Sequence, residues 1–179
     1  MKKINVAVLL LLMFATIGLA QENCTRNTEP AGGFSMCPPP GWNIEVREGQ
    51  QFHLMFAAGK PVFTPNINFK DETIAAPLDD YAQASIKTIL AGTEQLGATS
   101  IAVLEKKNFV TSSSVSGIRV AFRTEYKGLI IRTLQYYFDG KSGTKLIVTC
   151  TALESDKDTL DQVFDTALKT FRLDNRLDN

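Results

Sequence analysis

The chain has 179 residues, with 19 basic and 19 acidic side chains, one histidine and three cysteines. That length suits one domain, and a formal charge of zero argues against a nucleic-acid partner. With 44% hydrophobic and 21% charged residues the composition is that of a chain that buries a core, and a single histidine excludes a multi-histidine metal site.

Lys2 and Lys3 precede an apolar run from Val6 to Ala15, and Gly18-Leu19-Ala20 sets small residues at the minus-three and minus-one positions of a signal-peptidase site. Residues 1–20 therefore read as a signal peptide cleaved between Ala20 and Gln21, and the mature chain is expected to be periplasmic or secreted. The apolar run is shorter than the ~20 residues of a spanning helix, so no transmembrane anchor is expected in the mature chain. A lipid anchor is disfavoured because Cys24 follows Gln21-Glu22-Asn23 rather than a small residue. Removing Lys2 and Lys3 leaves 17 basic against 19 acidic side chains, a slightly acidic mature chain.

Export predicts that cysteines pair, yet three cannot all do so within one chain. Cys24 and Cys37 lie 13 positions apart around a Pro/Gly-rich segment, and a bridge between them staples the mature N-terminus to the first strand. Cys150 lies in the alternating run Lys145–Leu153 and reads as a small buried hydrophobe. Asn23-Cys24-Thr25 has the form of a glycosylation acceptor, relevant only in a eukaryotic secretory host.

In chain order, residues 21–33 form a polar extended arm, followed by one domain over 34–173 and a fraying tail over 174–179. Phe34–Cys37 is a strand ended by Pro38-Pro39-Pro40-Gly41, where three prolines remove backbone donors. Trp42–Val46 and Gln51–Ala57 are two strands joined at Glu48-Gly49, and Asn66–Glu72 is a fourth. A helix begins near Pro77, carries Leu78, Tyr81, Ala82, Ile86, Ile89 and Leu90 at helical spacing, and stops at Gly92. Asp79 and Asp80 suit the positive end of its dipole. Ser100–Val110, Ser116–Tyr126, Leu129–Phe138 and Thr144–Leu153 are consecutive strands. The short links, Lys127-Gly128 above all, require antiparallel pairing. The last helix opens on a capping-box-like Ser155 and Asp158. It repeats Leu160, Val163, Phe164, Ala167, Leu168 and Phe171 as one apolar stripe that must dock on the sheet.

Phe34-Ser35-Met36-Cys37-Pro38 leading into Pro40-Gly41-Trp42 resembles the opening of the PsbP-like superfamily, a group that includes PsbP, DcrB and the Ran-binding Mog proteins. Leu78, Tyr81, Ala82 and Ile86 match its helix, and Thr170-Phe171-Arg172 its closing phrase. The resemblance spans about residues 34–173. It implies an α+β fold, an antiparallel β-sheet with helices packed on it in an α/β/α sandwich, and brings no active site with it, since the matching residues pack rather than react.

The residues themselves support little chemistry. Asp71-Glu72 and Asp79-Asp80 read as solvated acids rather than a metal site, and no cofactor is expected. A hydrolase would have to use His53, placed in a strand between Phe52 and Leu54, as its base, and no Gly-x-Ser-x-Gly elbow accompanies it. A thiol mechanism at Cys150 needs the same histidine. If Lys127-Gly128 is a two-residue turn, Arg123 lies opposite Arg132 and Arg119 opposite Tyr136, which puts all four on one face with Glu125 nearby. Two opposed arginines need a carboxylate or an anion between them. Either a bound anionic ligand or partner fills that role, or Glu125 and helix acids do. The expectation is a non-catalytic exported accessory or binding module that presents a surface to an unidentified protein or envelope component. Its candidate contacts are Arg119, Arg123, Arg132, Tyr136 and Trp42. The alternative is a small exported hydrolase using His53.

Overall fold

The computed structural model describes residues 24–59 and 62–174. The expected signal peptide, the expected cleavage site and tail residues 175–179 lie outside the described residues. Ten strands and two α-helices follow in the order β1 (Asn27–Glu29), β2 (Phe34–Met36), β3 (Asn43–Glu45), β4 (Leu54–Phe56), β5 (Asn66–Thr73), α1 (Leu78–Ala91), β6 (Ala98–Val110), β7 (Ser116–Tyr126), β8 (Leu129–Asp139), β9 (Thr144–Leu153), α2 (Lys157–Lys169) and β10 (Arg172–Leu173). β3-β4-β5-β9-β8-β7-β6 form a seven-stranded sheet and β1-β2-β10 a small second one, with every pairing antiparallel.

Side-chain alternation gives the large sheet two apolar faces. On one, Ile118, Val120, Phe122, Tyr137 and Ile147 pack on Tyr81, Ala82 and Ile86 of α1. On the other, Leu134, Tyr136, Phe138, Leu146, Val148 and Cys150 pack on Phe164, Ala167 and Leu168 of α2, and the small sheet adds Phe34 and Met36. Phe171, one turn beyond α2, stacks on Phe138 with ring centroids 4.5 Å apart. β7, β8 and β9 thus carry buried apolar side chains on both faces, Phe122 and Ala121, Tyr137 and Tyr136, Ile147 and Val148 among them, with polar residues between. The tight β7–β8 turn uses positive φ at Lys127 (48°) and Gly128 (78°), the pair of left-handed residues that lets a two-residue link follow the strands' twist.

Three local expectations differ from what is observed. β3 and β4 have three residues each, so His53 precedes β4 instead of lying within a strand. The reason is that Phe52 turns inward to the core while the Glu29 carboxylate accepts from the His53 backbone N–H (3.0 Å), taking it out of any ladder. The capping box at α2 is not formed. A 3-10 turn over Glu154–Asp156 leads into the helix, and Asp156 stands at its N-cap with no side-chain capping bond. Within the extended arm, Asn27–Glu29 forms β1 and pairs with β2. Ser35 Oγ donates to Asp174 (3.1 Å), whose N–H reaches the Gly33 carbonyl (2.8 Å), so Asp174 is tied to β2.

Cys24 and Cys37 form a disulfide with Cα atoms 5.8 Å apart, and Cys150 is a free, buried thiol. The bridge pins the start of the arm beside the three-proline turn. Arg26 adds a hydrogen bond to the Thr170 carbonyl (2.8 Å), and the Cys37 N–H donates to Thr170 Oγ1 (2.8 Å).

Candidate functional site

The β7–β8 register sets Arg123 opposite Arg132, Arg119 opposite Tyr136 and Tyr126 opposite Leu129. All four candidate side chains of the pair therefore lie on the sheet face that α2 covers, and the helix brings acids to them. Asp161 and Asp165 are four residues apart on α2 and so project from one side of it. The Arg132 guanidinium grips Asp161 as a fork, with Nε to Oδ1 at 3.3 Å and Nη2 to Oδ2 at 2.7 Å. Arg119 is 3% exposed and bonds to Glu105 through Nη1, while its Nη2 lies 3.5 Å from Asp161. Its Nε sits 3.0 Å from Asp165 but off the N–H direction, so this contact is Coulombic rather than a hydrogen bond. The buried Tyr136 hydroxyl donates to Asp165 (2.6 Å), and Arg123 donates to Glu125 (2.9 Å).

Three arginines thus meet four carboxylates. The positive charge that the sequence assembles on this face is met from within the fold. Burial works against the Arg119 cation, yet Tyr136, Asp165 and Glu105 hold its pKa above the ordinary value. Burial, and then the neighbouring Cys150 and Asp165, push the Tyr136 hydroxyl up, so it stays a neutral donor. Arg119 and Arg132 are enclosed, whereas Arg123 keeps a third of its side chain in water.

Glu105 reaches this face because of a bulge. Val103 pairs with Phe122 and Glu105 with Ala121, leaving Leu104 unpaired. Without the extra residue, period two would send Glu105 to the α1 face, away from Arg119. Nothing in the β6 sequence marks that shift, so the third carboxylate was not legible beforehand. Asp161 and Asp165 were, as members of the polar side of α2.

Trp42 is half-buried and packs edge-to-face on Phe164, with ring centroids 6.0 Å apart. Its role in the described fold is to hold the proline turn against α2. His53 Nδ1 contacts the buried Glu29 carboxylate, and Asn27 Nδ2 donates to the same oxygen (3.0 Å). Glu29 orients the imidazole, but among the described residues no hydroxyl or thiol is hydrogen-bonded to it. Also among the described residues, no three His, Cys, Asp or Glu side chains cluster as a metal site, and no helix is long and apolar enough to cross a membrane.

What stays open near the arginines is the outer corner of the sheet. β6 is an edge strand of 13 residues, exposed along most of its length. Leu104 and Ile130 are large apolar side chains left 47% and 40% exposed. Together with Arg123 and Glu125 they give an amphipathic corner beside a strand edge that no described residue pairs with, the kind of edge on which another chain can pair.

No family model matches the chain, and no curated protein matches it. Solved structures do. The cyanobacterial PsbP of Synechocystis is similar at 13% identity with a TM-score of 0.63, over 90% of this chain and 99% of that one. LpqN of Mycobacterium tuberculosis, described as involved in cell envelope biogenesis, is similar at 10% identity and TM-score 0.58, over 85% and 86%. The Ran-binding protein Mog1p of Saccharomyces cerevisiae is similar at 12% identity and TM-score 0.57, over 85% and 96%. At such identities the likeness concerns architecture, and with the two-faced antiparallel sheet it gives the conclusion that this chain has a PsbP-like α+β fold.

Proposed function

We propose that this chain is an exported, non-catalytic accessory module that presents the free edge of β6 and the adjoining corner of the sheet to a protein or envelope partner. The observation that carries this reading is the 13-residue β6, which no described residue pairs with on its outer side and which is bordered by the exposed Leu104 and Ile130 and the half-buried Arg123. Structural neighbours whose names refer to Ran binding and to envelope biogenesis support an accessory role. The signal-peptide pattern of residues 1–20 and the Cys24–Cys37 bridge support export, because such bridges persist in oxidising compartments. In this reading Arg123 touches the partner. Arg119, Arg132 and Tyr136 serve the surface indirectly, by clamping α2 to the sheet, and Trp42 braces the same helix.

A photocrosslinker placed at Leu104 in the full chain, in a host that exports it, tests the surface. The control is the same probe at Val46, an exposed site at the opposite sheet edge. A discrete adduct from position 104 that disappears with Arg123→Glu is the expected result. Identical adducts from both positions, or none from 104, would remove the corner from consideration. Arg132→Glu is not a clean probe, since it would break the Asp161 fork and loosen α2.

A further inference from the structure

The α1 face of the large sheet is only partly covered by its helix. α1 packs on Ile118, Val120, Phe122 and Tyr137, and meets the β3-β4-β5 side through the Tyr81 hydroxyl, which donates to Glu72 near the end of β5 (2.8 Å). On that side the chain forms a hollow of about 710 Å³, within the range of small-molecule sites, lined by Asn43, Arg47, Leu54, Phe56, Asn66 and Asn68 among others. Its floor continues across the centre of the sheet. The register aligns Asn68 with Thr149 and Gln135 in one row, and Asn66 with Thr151 and Thr133 in the next. These six side chains alternate with core residues, so they point to the same face, and all six are half-buried.

The geometry points to this floor as a binding site for a neutral oligosaccharide. Every one of the six groups is an amide or a hydroxyl, able both to donate and to accept, as each sugar hydroxyl also does. Five of the six are already linked, in two groups: Asn68 Nδ2 donates to Asn66 Oδ1 (3.3 Å) and Thr151 Oγ1 to the same oxygen (3.4 Å), while Gln135 Nε2 donates to Thr149 Oγ1 (3.3 Å). Gln135 also accepts from Tyr137, whose hydroxyl meets Ser85 of α1, so the helix fixes one side of the array. With strands about 4.8 Å apart and alternate residues about 6.8 Å apart, the two rows cover roughly 10 Å by 7 Å, the footprint of a disaccharide.

Other ligand classes fit the floor less well. A charged ligand finds no counter-ion among the six, and the nearby cations are engaged: Arg47 with Glu45 and over the Phe56 ring, Lys70 with Glu72. An apolar ligand would strip water from amides and hydroxyls without replacing it, at about 1–3 kcal/mol for each group left unpaired. An extended peptide would seek strand backbone, but β9 and β8 have their backbone groups committed to neighbours on both sides, and β5 is paired with β9 along its length and with β4 at Asn66 and Ile67. A pyranose can use the array for its hydroxyls and lay its C–H face against Phe56 and Leu54 at the rim.

The test is a titration of the purified full chain, followed by the side-chain amide resonances of Asn66, Asn68 and Gln135. The probes are neutral di- to tetrasaccharides of glucose, galactose, mannose and N-acetylglucosamine. The expected result is saturable movement of all three amides with at least one probe. Asn68→Leu combined with Thr149→Val should weaken that response at least ~tenfold. Arg123→Glu, on the opposite face, should leave it unchanged, and the thermal midpoint of the double variant shows that it is folded. No movement up to about 10 mM sugar, movement that survives the double variant, or an equal response to an anionic sugar or to an unstructured peptide would each overturn the assignment.

Discussion

Asp161 accepts from both Nε and Nη2 of Arg132 and lies within 3.5 Å of Arg119, so two mostly enclosed cations depend on one carboxylate. Removing one partner of an enclosed pair leaves an uncompensated charge, whereas replacing both with apolar groups can be nearly neutral. Asp161→Ala is therefore expected to destabilise the fold by about 3 kcal/mol, and Asp161→Leu with Arg132→Leu by clearly less; urea denaturation of the three proteins checks the difference. Acid reaches other carboxylates. Hydrogen bonds from Lys70 and then from Tyr81 hold Glu72 below its ordinary value of 4.5. Burial acts to raise Glu105, but Lys107 and Arg119 together hold it below the same value. A depressed native value means that the unfolded chain takes up protons first. The stabilisation is thus complete above pH 4.5 and is lost as pH falls through the lower native values. Stability measured between about pH 5 and pH 3 should decline with acid, and Glu72→Gln should make that decline shallower.

At the scale of elements, the arm shows how much a short segment depends on its staples. β1 has three residues and β10 two, too few to hold by ladder bonds alone, and both lean on β2. The Cys24–Cys37 bridge closes a loop of 13 positions, for which chain entropy gives about 3 kcal/mol. Cys37→Ser should lower stability by an amount of that order, read from the denaturant midpoint, and should speed hydrogen exchange in β1 before it does so in β8. The pairing of Cys24 with Cys37 was legible from spacing and export. The pairing of β1 was not, because Asn27-Thr28-Glu29 has no alternation to mark it. In the long meander the reverse holds: Lys127-Gly128 fixes one turn, and one turn fixes the pairs Arg123–Arg132 and Arg119–Tyr136. The bulge at Leu104 escapes such reading, since a register slip costs a residue only in relation to its neighbour strand.

Across the whole molecule, Cys150 is the deepest reporter. It sits on β9 between Ile67 and Leu134, fully buried, and burial first, then the Asp165 charge, push its thiol well up. A thiol reagent should leave it untouched in the native state and modify it only through global opening, so its labelling rate should track unfolding free energy across the Asp161 variants. The molecule is two-sided in a further sense. α2 and the small sheet pack on one face, α1 packs on part of the other, and among the described residues β6 ends the sheet. An accessory surface at the β6 corner and a sugar-binding floor beside α1 would therefore operate independently, on opposite faces.

The sequence by itself determined the order of β2 to β9 and of the two helices, the antiparallel meander, the apolar stripe of α2, the cysteine pair and the shared face of four candidate contacts. These are local matters: period, turn length and spacing are properties of neighbouring residues. Only the tertiary structure decided that the arginine face is closed by Asp161, Asp165 and Glu105, that His53 leaves its strand to meet Glu29, and that three strands lay six neutral polar groups side by side. Those outcomes depend on which residues distant in the chain become neighbours, and a charge or a hydroxyl takes its meaning from that neighbour rather than from its own position in the sequence.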